Sequence, residues 1–365
     1  MALWYALVFI LAVIVVAIGA LIFRRRHAAS ADDDSISTTA QRDEDAATPD
    51  RNIAATIPFQ TDAIVEQQNA IYRLAFGVKR IDYRILGEHV RVLKATQDAV
   101  AGAMNEPRYF PRKPALLPKL LRAINTLDNG RHEIVRLILQ DAVLAGNVLK
   151  RANSAYYRQS TDVVESIDRA VLILGNEGMR APVASAIMQP VFQLPAGFFE
   201  HFAPITWEQA RRTAYAAEEI ARAHVSTDAL VAHLAGMLGG LSRIVLFRLT
   251  MDKYRLQGNI MPRPEVFIKV MIDHEPQVAR AIAAAWELSP AFIEAFDAQV
   301  QATPPHRMSP LASTVYYANL VGLLTTLHHH DLIDIESAYE LLAGQGLESA
   351  TSNAIWTIAG ADIIE

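Results

Sequence analysis

Apolar residues recur at intervals of three and four along most of this chain, and no stretch alternates convincingly with period two. That pattern predicts an all-α protein. An uncharged apolar run, residues 2–23, comes first and is followed directly by Arg24, Arg25 and Arg26. Between 60 and 104 a helical repeat resumes at Ile64, Gln68, Ile71, Leu74 and Ala75, and continues less regularly through Ile85, Val90, Leu93 and Val100. Pro111 and Pro114 then break it, because proline cannot continue a helix. A new helix starts near Leu116. A turn at Asp128, Asn129 and Gly130 separates it from a helix whose apolar face carries Ile134, Leu137, Ile138, Leu144, Ala145, Val148, Leu149 and Ala152, with Asp141 among them.

Local signals predict where the later helices begin and end. Ser166 is a natural N-cap for Ile167, Ala170, Val171 and Leu174, and Gly175 a natural stop. Thr206 is expected to cap a helix over 207–224, and Asp228 another carrying Leu230, His233, Leu234, Met237 and Leu238. Pro276, Pro290 and Pro310 are each expected in a first helical turn, where proline sacrifices no hydrogen bond.

The apolar run at 2–23 is long enough to cross a bilayer, which takes about 20 residues. Trp4 and Tyr5 sit where an interfacial aromatic belt lies, and the arginines after the run predict a cytoplasmic C-terminal side. A cleaved signal peptide carries its basic residues before the apolar run, the reverse of the order here. The expectation is a single-pass anchor in a bacterial inner membrane. Residues 24–58, rich in Ala, Ser, Thr and Asp, predict a disordered linker that buries too little apolar surface to fold. A juxtamembrane helical region over 59–110, a main domain over 111–300 and packed C-terminal helices over 301–365 complete the expected organisation.

Composition narrows the function. Hydrophobic residues make up 52% of 365, enough for a sizeable core. The net charge of −5, without a basic stripe interleaved with aromatics, argues against a nucleic-acid partner. The absence of cysteine excludes disulfides, thiolate nucleophiles and Cys-zinc sites. There is no glycine-rich phosphate loop, and no cofactor is expected.

The stretch from 137 to 175 is the most informative. Asp141, Leu144, Leu149 and Ala152-Asn153-Ser154 are followed by Ile167, Ala170 and Leu174-Gly175. This spacing resembles the HDOD domain family. Leu117-Pro118, Trp207, Ala214, Ala217, Gly236-Met237-Leu238 and the segment from Trp286 to Pro290 support the resemblance, which covers about 116–300. It implies a multi-helix bundle related to the HD phosphohydrolases and a role in bacterial signal transduction, beside receiver, kinase or cyclic-di-GMP-turnover proteins.

The same resemblance implies that the catalytic centre is lost. HD enzymes hold a cation with His and Asp residues on neighbouring helices, which positions phosphate and activates water. The expected His-Asp pair falls here on Gly239-Gly240, Gln209 stands near another usual histidine, and His274 beside Asp273 alone survives. Glycine has no side chain with which to bind metal. His328, His329 and His330 end a predicted helix and suit its dipole better than a cation site. The expectation is therefore a non-catalytic, membrane-tethered module acting on a cytoplasmic signalling protein, with Asn153, Tyr156, Tyr157 and Arg158 at the hinge as candidate contacts. Short polar residues such as Asn153 and Ser154 also end helices by bonding nearby backbone, so an architectural role stands beside that one. The alternative is a sensor holding a nucleotide or other small effector in the former cleft, bounded by Gln209, Arg212, Gly239, Gly240, Arg243 and His274, with Arg211 nearby. A surviving metal-dependent phosphohydrolase is a minor alternative.

Overall fold

In a computed structural model of the chain, the described residues are 61–103, parts of 111–118 and of 135–141, then 142–154, Tyr157 and, apart from a few positions in loops, 163–360. The expected anchor and linker lie outside them, as do Asp141, Tyr156 and Arg158. The described residues all fall within one compact unit. Its regular elements, among the described residues, are all helical.

The region expected as a single helical stretch is two helices. α1 (Asp62–Phe76) ends at Gly77, whose φ of 65° lets the chain turn in a left-handed cap. α2 (Glu88–Ala103) follows after a loop. α3 (Ala142–Ala152) leads into the Asn153-Ser154 hinge. α4 (Ile167–Met188) starts as expected, with the Ser166 hydroxyl accepting from the Arg169 backbone N–H. At Gly175 the backbone leaves the helical region (φ 65°), so a second segment continues at a kink. This stop comes where the sequence puts it.

α5 (Phe202–His224) and α6 (Ala229–Leu256) form the centre. α5 begins four residues before Thr206, which is therefore an interior residue and not a cap. Asp228 does cap α6, accepting from the N–H groups of Leu230 and Val231. α7 (Pro264–Ala285) opens on Pro264, leaving Pro276 inside the helix, a departure from the expected first-turn position. Proline there removes one helical hydrogen bond, and Pro276 stands where α7 borders a cavity. α8 (Pro290–Val300) and α9 (Pro310–His329) begin at their prolines as expected. α10 (Ile335–Gly344) and α11 (Ser349–Ala359) follow.

α5 packs along α6 and α9, and α6 along α7, while α1 rests on α5 and α9 and α2 on α6 and α7. Small residues make the central contact close. Gly236 and Gly240, one turn apart on α6, face Ala214 and Ala210, one turn apart on α5. A Cβ at Gly236 would stand 2.8 Å from the Ala214 Cα, so the two antiparallel backbones meet directly. An aromatic cluster of Phe76, Phe199, Phe202, Phe247 and Phe267 fills the next layer, with the Phe202 and Phe247 rings stacked at 4.5 Å. Among the described residues α6 alone is long and apolar enough to cross a membrane, and it is the buried axis of the bundle. Trp286, at the segment that resembles the family's tryptophan stretch, donates its indole N–H to the Pro111 carbonyl and closes the start of the domain onto α7.

Candidate functional site

Two polar clusters interrupt the core. The first lies against the hinge. Arg151, the penultimate residue of α3, is fully buried and reaches Glu218 on α5 (Nη2 to Oε1, 3.4 Å). Arg222, one turn along α5, donates to the same oxygen and also to Glu219 at 2.7 Å. The other Glu218 oxygen stands 3.3 Å from Nδ1 of His233 on α6, and His233 Nε2 stands 2.9 Å from the Ser185 hydroxyl on α4. Tyr215 and Tyr157 cover the Arg151 guanidinium.

The electrostatics of this cluster are internally balanced. Burial works to raise the Glu218 carboxyl, but Arg151, His233 and Arg222 outweigh it and hold it below the usual carboxylate range. Burial pushes the His233 imidazole down against the pull of Glu218, so the ring is neutral near pH 7. A neutral ring facing a carboxylate keeps its proton on Nδ1, leaving Nε2 to accept from Ser185. The order serine, histidine, glutamate is that of a nucleophilic relay. All three side chains are nonetheless enclosed, each residue at 3% exposure or less, so no substrate reaches the hydroxyl. The cluster joins four helices. Its signals in the sequence were slight: a basic residue at a helix end and a Glu-Glu-x-x-Arg run on an apolar helix.

The hinge itself is tied to backbone. The Asn153 side-chain amide donates to the carbonyls of Leu149 and Val164 at 2.9 Å each, and its oxygen accepts from the Val164 N–H at 2.7 Å. Ser154 donates to the Arg151 carbonyl at 2.8 Å. Asn153 thus clasps the segment entering α4. Asn153→Ala is expected to cost about 2–3 kcal/mol, three hydrogen bonds at roughly 1 kcal/mol each. Chemical denaturation reads this directly. Tyr157 turns its ring inward over Arg151, and its hydroxyl meets Arg151 and Arg222 at 3.4 Å.

The second cluster surrounds Gly239. A Cβ at that glycine would stand 3.1 Å from Glu275 Oε1 and 3.8 Å from Asn319 Oδ1. Arg243, one turn along α6, lies 3.4 Å from the other Glu275 oxygen and donates to the side-chain oxygen of Gln209 on α5. Burial raises the Glu275 carboxyl, and Arg243 pulls it back. These side chains border a cavity of about 380 Å³ between α1, α5, α6, α7 and α9, walled by Ile64, Ile71, Met271, Leu320 and Leu323.

Of the expected cleft residues, Gln209, Gly239 and Arg243 converge here. Gly240 does not face the cavity. Its missing Cβ is where the Ala210 methyl sits, with Phe192 also close. Arg212 points the other way, donating to Glu208 and to the Ala359 carbonyl (2.9 Å each), where it anchors α11. Gln209 and Arg212 are three positions apart on α5, but the bonds to Glu208 and to α11 hold the Arg212 side chain away from the cavity. His274 also lies outside the lining, with Nδ1 3.2 Å from the Gln277 side-chain oxygen, while its neighbours Asp273 and Glu275 line it. Arg211 lies over the Trp207 ring. Sequence reading missed Glu275 and Asn319, which only the packing of α7 and α9 brings to Gly239.

The terminal histidines have ordinary partners. His328 Nδ1 lies 3.0 Å from the Ile333 carbonyl, and His330 Nε2 2.9 Å from Glu208. Among the described residues no three His, Asp or Glu side chains converge as metal ligands.

The HDOD domain family matches residues 110–302, more than half of this chain. An uncharacterized protein of Treponema pallidum is 27% identical over 262 residues, 68% of this chain; the match spans about half (49%) of that relative. A Shewanella amazonensis crystal structure, provisionally named a metal-dependent phosphohydrolase, superposes with a TM-score of 0.51 at 16% identity, covering 73% of this chain and 98% of that one. An HDOD domain protein of unknown function from Geobacter sulfurreducens aligns at 0.49 and 18% identity, covering 75% of this chain and 90% of that one. The likeness to the Shewanella structure, at 16% identity, extends to the fold.

Proposed function

Because the chain belongs to the HDOD domain family, we propose that it is a non-catalytic signalling module, held at the cytoplasmic face of a bacterial inner membrane by residues 1–23 and acting through contact with another cytoplasmic signalling protein. The observation that carries the non-catalytic reading is the state of the Gly239-Gly240 position. A cation that activates water needs several nitrogen and oxygen ligands aimed at one point. Here Gly240 is consumed by helix packing, and the Glu275 carboxylate beside Gly239 faces Arg243 at 3.4 Å. These residues do not fit a metal ion.

The tether supports the interaction reading. A domain on a flexible linker raises the local concentration of whatever it binds near the membrane. The uncharged run at 2–23, the arginines behind it and the polar linker after them supply such a tether. The test is proximity labelling in the native cell with the full chain, against a control carrying residues 1–58 alone. The expected result is enrichment of a kinase, receiver or cyclic-dinucleotide enzyme over the control. Equal labelling by both would sink the proposal.

A further inference from the structure

The cavity at Gly239 has features of a binding site that the signalling role does not use. Its volume of about 380 Å³ falls in the range of small-molecule pockets, roughly 300–1,000 Å³. Part of its wall is apolar, from Ile64 and Ile71 on α1, Met271 on α7, and Leu320 and Leu323 on α9. Gln68, Tyr72, Gln277, Gln299 and Tyr316 add polar groups elsewhere on the lining, and Gln209, Arg243, Glu275 and Asn319 form a polar patch beside Gly239.

Two groups of that patch make no hydrogen bond among the described residues. The Arg243 side chain is nine-tenths buried, and its Nε makes no hydrogen bond, standing 3.4 Å from Glu275 without the geometry of one. The Asn319 carboxamide makes none among the described residues, although its oxygen faces the Gly239 position. Buried polar groups are normally bonded, so the unbonded Arg243 Nε, beside a half-buried carboxamide that is open to the cavity, marks a place for a ligand's polar edge.

Charge then selects the ligand. Among the described residues that line the cavity Arg243 is the one cation, and Glu275 opposes it. Asp273, the other ionisable carboxylate there, is matched by Lys269 at 2.8 Å. No positive charge is left over for an anion. A triphosphate or cyclic dinucleotide would give up its hydration for a site that cannot compensate it. A flat molecule with apolar faces and a rim of donors and acceptors matches both walls and patch. Carboxamides pair with such rims in two-point contacts.

We infer that this cavity binds an uncharged nucleobase or nucleoside, its edge read by Asn319, Glu275 and Arg243, and that it excludes polyphosphate nucleotides. The inference is independent of the membrane tether and of any partner. The experiment is calorimetric titration of the full-length protein with adenosine, guanosine, cytidine and uridine, and with the four matching triphosphates. At least one nucleoside is expected to bind, and its triphosphate to bind at least about tenfold more weakly. Asn319→Leu is expected to weaken that nucleoside at least about tenfold while the fold, checked by its melting curve, is kept. Asn319→Asp, of the same shape, serves if the leucine variant does not fold. Triphosphates binding as well as nucleosides, nucleoside affinity unchanged in both Asn319 variants, or no binding by any of the four nucleosides would each overturn the inference. None of these results bears on whether the tethered domain recruits a signalling protein.

Discussion

Glu218→Ala is expected to destabilise the protein by about 3–5 kcal/mol, the cost of leaving buried charge uncompensated. Among the described residues Glu218 is the carboxylate that pairs with Arg151, which is fully buried on α3. It also receives Arg222 and faces His233. Removing it strands one enclosed guanidinium and part of another, and takes the carboxylate from the imidazole that holds Ser185. Thermal unfolding reads the loss as a drop of roughly 10 °C for a domain of this size. A double variant, Glu218→Ala with Arg151→Met, separates the causes. If stranded charge dominates, the second substitution recovers part of the loss, because an apolar side chain replaces an unpaired ion. A single Glu218→Ala variant within about 1 kcal/mol of the parent would show that water or rearrangement satisfies Arg151.

Gly240→Asp, which puts a carboxylate where the HD pair would have one, is expected to cost at least about 3 kcal/mol. Any Cβ at 240 overlaps the Ala210 methyl on α5 and comes 3.1 Å from the Phe192 ring. Overlap with a helix backbone layer is relieved only by moving the helix, and the new carboxylate would sit in apolar surroundings. Gly239→His is expected to be milder. Its Cβ meets the ends of Glu275 and Asn319, side chains that can swing into the cavity. Parallel urea titrations of the two variants give the comparison. Equal stability of Gly240→Asp and the parent would remove packing as the reason for glycine at that place.

These two residues also mark the limit of what a one-dimensional reading reaches. Gly239 and Gly240 look alike in the sequence, two absent ligands side by side. In the fold they differ completely, because adjacent helical residues point about 100° apart. One borders a polar cavity and the other is the close contact of two helices. Arg212 and Arg243 were likewise equivalent as cationic candidates. The helix face on which each falls sends Arg212 to α11 and Arg243 to Glu275.

The helical class, the caps at Ser166 and Asp228, the stop at Gly175 and the family itself followed from the sequence, because each depends on residues within a few positions of one another or on a spacing kept along one helix. What faces what did not. The four-helix cluster around Glu218 and the cavity around Gly239 each join residues more than thirty positions apart. Their partners are chosen by how closely α5, α6, α7 and α9 approach, and that approach depends on small residues meeting across helices, a relation that exists only once the bundle is packed.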